Sequence, residues 1–175
     1  MERKGGEMEL KELTKKTLEL FEINSIEELK DKLFIVCKNN KHDKLKNFKE
    51  LVGDLSVDWM QKIFQYYEAD RKEKKQDYTP KCLADFCGKL AGNADVVVDM
   101  CAGSGALTIQ KWGLDKTQKF ELYEFDENVI PYLLFNMMLR NINCYVYHSD
   151  VLQGEVFHEY RIKTGEEFGI VEVVR

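Results

Sequence analysis

Asp99 stands four residues before Gly103, and one residue separates Gly103 from Gly105, inside "VVVDMCAGSGALTIQ" at residues 96–110. A glycine lets the backbone approach a ligand with no Cβ in the way. The helix that follows such a turn offers free amides to a negative group. Asp99 can reach across the same turn toward a cation or a hydroxyl. Two ligand classes fit this frame. A dinucleotide wants G-x-G-x-x-G, with the third glycine for close helix packing, but Thr108 holds that third position. S-adenosylmethionine brings an ammonium and a carboxylate at its amino-acid end. An acid just ahead of the glycines suits that end better than it suits a pyrophosphate.

Three further acids follow at strand ends. Glu124 closes "KFELYE", 21 residues after Gly103, where a carboxylate can accept two bonds from ribose hydroxyls. Asp126 comes two residues later and equally suits a helix N-cap. Asp150 closes "YHSD" and can accept from an adenine amino group, or cap the next turn.

Elements must place these groups. "DVVVDM" is β-branched without alternation, as in a strand covered on both faces. "KFELYEF", "CYVYHS" and "FGIVEVV" read as three more strands. "KCLADFCGKLAGN", "GALTIQKW" and "ENVIPYLLFNMMLRN" read as helices, with Gly92 and Gly113 as stops and Pro131 confined to a first turn. Strand–helix alternation predicts a parallel sheet with right-handed crossovers. Upstream, residues 1–77 read as helical throughout. Leu10, Leu13, Leu18 and Phe21 share one face, Ser25 and Glu28 have capping-box spacing, and Gly53 ends a third helix. The chain therefore divides into a helical region, 1–77, and a cofactor-sheet region, 78–175.

Charge follows the same division. Residues 1–77 carry 17 of the 26 Lys and Arg and 17 of the 31 Asp and Glu, so the net charge of −5 belongs to residues 78–175. That field repels DNA, and any nucleic-acid contact must come from local basic residues or a partner. Five cysteines, Cys37, Cys82, Cys87, Cys101 and Cys144, show no metal-ligand spacing. They are expected to be reduced and mostly buried, which points to the cytoplasm. No apolar run is long enough for a membrane span.

"DYTPKCLADF", "DMCAGSGAL", "LYEFDENVIPYLLFNMMLRNI" and "VYHSDVL" resemble, in order and spacing, the N6-adenine DNA methyltransferases of restriction-modification systems. The closest likeness is to the N-terminal part of the modification subunit of type I systems. The resemblance implies an α/β fold: a helical N-terminal segment, then a partial Rossmann-like S-adenosylmethionine-dependent methyltransferase sheet with parallel strands. It implies that Tyr78, Thr79 and Pro80 close over the methionine end of S-adenosylmethionine. Asp99, Gly103 and Gly105 would line its amino-acid portion, Glu124 would hold the ribose and Asp150 the adenine, with Asp126 a further cofactor contact. DNA would be reached through a specificity subunit.

The family places Asn-Pro-Pro-(Phe/Tyr) after its fourth strand. There an asparagine side chain and a proline carbonyl accept bonds from the amino group of a flipped-out adenine. This chain has two prolines, Pro80 and Pro131, and no Asn-Pro-Pro. "FGIVEVVR" resembles the strand that leads into that loop, with Glu172 to Arg175 where the loop should begin. The expectation is a half-enzyme that binds cofactor, supplies no catalytic residue of its own, and exposes a sheet edge for self-association. The alternatives are a non-catalytic module of a defence complex and a methyltransferase for RNA or a small molecule. A nucleotide-dependent oxidoreductase is disfavoured by Thr108 and Asp99.

Overall fold

The computed structural model describes residues 3–68, 79–92 and 94–175. Four helices come first: α1 (Arg3–Phe21), α2 (Leu29–Lys38), α3 (His42–Val52) and α4 (Trp59–Glu68). Then follow α5 (Lys81–Leu90), β1 (Val96–Asp99), α6 (Ala106–Leu114), β2 (Lys119–Glu124), α7 (Ile130–Leu139), β3 (Cys144–Asp150), β4 (Glu155–Lys163) and β5 (Ile170–Val173). α3 stops at Gly53, which takes φ +66, a conformation open to glycine at little cost. Pro131 sits in the first turn of α7, where no hydrogen bond is lost.

The five strands lie in the order β1-β2-β3-β4-β5. β1, β2 and β3 are parallel, as strand–helix alternation predicts. β4 and β5 are antiparallel additions, which corrects the expectation of an all-parallel sheet. The connection from β3 to β4 spans only residues 151–154, and a parallel crossover needs a dozen residues or more. The chain must therefore fold straight back. In β4 only Tyr160 and Ile162, two residues apart, are buried, as in a strand end covered on one face.

A second correction follows. "FGIVEVV", expected as a parallel fourth strand, forms the outer strand of this hairpin, with Val171 paired to Ile162. It lies at the edge opposite β1. β1 pairs with β2 alone, and Val96 and Val98 remain exposed.

α7 explains how helices and sheet become one body. All ten of its residues are buried, as expected of a helix apolar on every side. One side covers the sheet at β3, β4 and β5, and the other meets α2, α3 and α4. Phe135 sets its ring edge-on to Phe21 (5.6 Å) and Phe48 (5.4 Å), contacts worth about 0.5–1.5 kcal/mol each beyond area burial. A single apolar core thus runs from α1 to β5.

Two smaller expectations fail. Ser25 precedes a 3-10 turn, Ile26–Glu28, and its side chain makes no capping bond, because the backbone tightens before α2 begins. The cysteines are free, but only Cys37 and Cys144 are buried, while Cys82 and Cys101 are exposed and Cys87 is half-buried. Cys82 is carried on α5 at the surface, and Cys101 lies in the turn after β1.

Candidate functional site

The register of the parallel strands sets the site. Asp99 is level with Leu122, and Glu124 with His148. Asp150 lies two residues beyond His148, so Asp99, Glu124 and Asp150 step across the carboxyl ends of three neighbouring strands. Side chains alternate between faces. All three therefore belong to the face that carries Leu122, Val146 and α7.

Asp99 is half-buried. Its Oδ1 accepts from the Cys101 amide at 3.3 Å, while Oδ2 is buried with no hydrogen-bond partner. Burial raises its pKa above the ordinary carboxylate value. The Cys101 amide and the nearby Thr108 hydroxyl draw it partly back, and the charge of Glu124 adds to the rise. Thr108, in the place of a third glycine, keeps its own buried hydroxyl beside this carboxyl rather than in a settled bond.

The two glycines have different reasons to be glycine. Gly103 takes φ +55, and a Cβ there would meet nothing within 4 Å. It is the open side of the turn. Gly105 takes φ +97, and a Cβ there would come within 2.6 Å of the Met137 Cε and 3.1 Å of the Leu133 Cδ1. Its freedom serves the seating of α6 on α7.

Glu124 is engaged by backbone. Oε2 accepts from the Gly103 amide at 2.8 Å, and Oε1 from the Phe125 and Asp126 amides at 2.9 and 2.8 Å. A carboxylate has about four acceptor sites, so one remains. Asp126 Oδ1 accepts from the Asn128 amide and side chain, and its backbone oxygen accepts from the Val129 amide. Asp126 thus shapes the turn into α7. Asp150 Oδ1 accepts from the amides of Leu152 and Gln153, which caps the turn into β4. The turn-capping role weighed for Asp150 is realised, whereas the N-cap of α7 is Val129 and Asp126 bonds one turn earlier; each carboxylate engages one oxygen.

Beyond Glu124 lies an open depression of about 680 Å³, lined by Glu124, Phe125, Asp126, Glu127, His148 and Phe157. His148 sits 3.1 Å from the Phe125 carbonyl through Nε2, so that nitrogen carries the proton. Its Nδ1 lies 3.2 Å from His158 Nδ1. Thr79 and Pro80 line a different cleft of about 210 Å³, shared with Ser56, Asp58, Ala106 and Gln110. Tyr78 lies outside the described residues.

A family model described as N-6 DNA Methylase matches residues 49–171, well over half of the chain. The chain belongs to the N-6 DNA methylase family. No curated protein and no solved structure matches it. Membership in the N-6 DNA methylase family gives the chain an adenine DNA methyltransferase-like character and implies S-adenosylmethionine as cofactor. The residues present fit that group. An unpartnered, buried carboxylate oxygen at Asp99 suits an ammonium, the open turn at Gly103 admits a close approach, and the acid-floored, aromatic-sided depression suits a nucleoside.

Sequence reasoning missed His148, Asp58 and Ser104. His148 was legible by period two, since it precedes Asp150 by two residues on one strand face. Asp58 gave no such signal. Its side-chain partners lie 46 and 78 residues away.

Proposed function

We propose that the chain is the cofactor-binding part of an S-adenosylmethionine-dependent DNA adenine-N6 methyltransferase of a cytoplasmic restriction-modification system. Its plan is that of the N-terminal part of a type I modification subunit, with β1–β3 as the first strands of a Rossmann-like sheet. One observation carries this reading. The buried Asp99 Oδ2 lacks a partner beside a turn whose open glycine, Gly103, is tied to Glu124 on the next strand.

The bound cofactor supplies an activated methyl group. Asp99 accepts from its ammonium, and the Gly103 turn lets its amino-acid portion lie against backbone. Glu124 turns its remaining lone pair to a ribose hydroxyl. Asp126 borders the same depression. Asp150 offers Oδ2, which its capping bonds leave unused, to the adenine amino group. Thr79 and Pro80, with Tyr78, border the methionine end.

These 175 residues contain no Asn-Pro-Pro, so no group among them is assigned to hold the target adenine's amino group. Orientation of such a nucleophile accounts for much of the rate in a direct transfer. The 175 residues on their own therefore bind cofactor and transfer little or no methyl. DNA is met through a specificity subunit, and the open β1 edge favours pairing with a second copy. The missing motif also favours a second reading, a non-catalytic cofactor-binding module of a defence complex. Calorimetry with S-adenosylhomocysteine and with NAD tests the cofactor. Transfer of tritiated methyl to unmodified DNA tests catalysis, and turnover would overturn the claim of inactivity.

A further inference from the structure

Between Gly103 and Gly105 the chain carries Ser104, and its side chain points away from solvent into the helical region. Ser104 Oγ donates to Asp58 Oδ2 at 2.6 Å. Asp58 Oδ1 accepts from Asn136 Nδ2 at 2.9 Å and from the Gln61 amide at 3.0 Å. The same Asn136 Nδ2 donates to the Ser104 carbonyl at 2.9 Å, so the loop residue is held by side chain and backbone together. Arg140 completes the network. Nη1 donates to Asn136 Oδ1 at 2.9 Å, while Nε and Nη2 donate to the carbonyls of Leu55 and Val57, both at 2.8 Å. All four side chains are buried, with 1–8% exposure.

Buried polar groups with all bonds made specify one arrangement, because any alternative leaves a costly orphan. Here the arrangement specified is that of the glycine turn. Asp58 opens α4, in the segment that also lines the cleft with Thr79 and Pro80. From this we infer that Asp58 is a positioning residue for the cofactor loop. The helical region is thereby a working part of the cofactor site: undocking α4 releases Ser104 and loosens the turn beside Asp99. This rests on the cofactor-binding reading above.

Asp58→Asn and Ser104→Ala test it beside Val36→Ala, a cavity at a buried α2 residue whose apolar side chain makes no hydrogen bond in the network. S-adenosylhomocysteine affinity and melting temperature are measured for the wild type, the three single variants and the Asp58→Asn, Ser104→Ala double variant, with amide hydrogen exchange at residues 101–106. The expected result is affinity weakened about tenfold or more in Asp58→Asn and Ser104→Ala, the size of a lost charge-assisted bond, with little change in Val36→Ala at similar thermal loss. The double variant should bind no worse than the weaker single one. Equal affinity across the three single variants would overturn the inference. If the wild type binds no S-adenosylhomocysteine, the cofactor reading fails, and exchange decides the positioning role. Faster exchange of the loop in the first two variants than in Val36→Ala sustains it, and equal exchange rejects it.

Discussion

The Glu124 carboxylate, on the second strand, accepts the Gly103 amide of the loop that follows the first strand, at 2.8 Å. A neutral amide in its place brings an N–H against a backbone N–H on one side. Glu124→Gln should lose about 1–3 kcal/mol of stability, a fall of several degrees in melting temperature for a chain of this size. Cofactor-analogue binding should fall more than tenfold. Thermal melts and calorimetry check both.

Asp99 should show a conflict between stability and binding. Its pKa is raised in the folded state, chiefly by burial. Between the ordinary carboxylate value and the raised one, the folded chain holds more protons than the unfolded chain. Stability contributed by this group is therefore full at low pH and falls as pH rises through that window. Asp99→Asn removes the buried charge, so it should melt at or above the wild-type temperature at pH 7 while losing about 1.5–3 kcal/mol of analogue affinity. Melts across pH 4–8 should show the variant's advantage growing with pH.

Gly103→Ala and Gly105→Ala should separate. Both force alanine to positive φ, at a cost of about 1–2 kcal/mol. At Gly105 the Met137 end methyl must also turn aside and Leu133 must yield, so this variant loses the more stability. At Gly103 the new methyl stands in open space on the ligand side, so affinity falls out of proportion to the melting temperature. Paired melts and titrations distinguish the two.

The open edge of β1 should associate. Sedimentation velocity is expected to show a concentration-dependent dimer. Val98→Lys, which puts a charge on an exposed position of that edge strand, should shift it to monomer without a large change in melting temperature. A chain that stays monomeric at all concentrations would remove self-association from the proposal.

Methyl transfer by the 175 residues alone should be at background on unmodified DNA, even where calorimetry shows the analogue bound. Incorporation of tritium above a no-protein control is the outcome that contradicts it.

Much of the site was legible before folding. The three parallel strands, the glycine turn and the acids at strand ends follow from local rules: β-branched runs, glycine spacing, a carboxylate at a strand terminus. The hairpin of β4 and β5 was also written locally, in a connection from β3 too short to cross over. The family likeness points instead to a parallel fourth strand, which the antiparallel pairing of β5 with β4 replaces. The two uses of glycine were not legible, because φ +55 at Gly103 and φ +97 at Gly105 look alike in sequence and differ only in what stands opposite.

The sequence by itself determined the chemistry on offer: which residues can accept a cation, where a bare backbone bends, and that no Asn-Pro-Pro is present. Those are properties of residue type and near spacing, and they survive in any conformation. Tertiary structure alone decided which groups share a site. Asp58, Ser104 and the α7 pair Asn136 and Arg140 come from three separate stretches, and only the burial of α7 between the helices and the sheet closes them into one network. Hydrogen bonds act over about 3 Å, while the partners stand up to 85 residues apart along the chain.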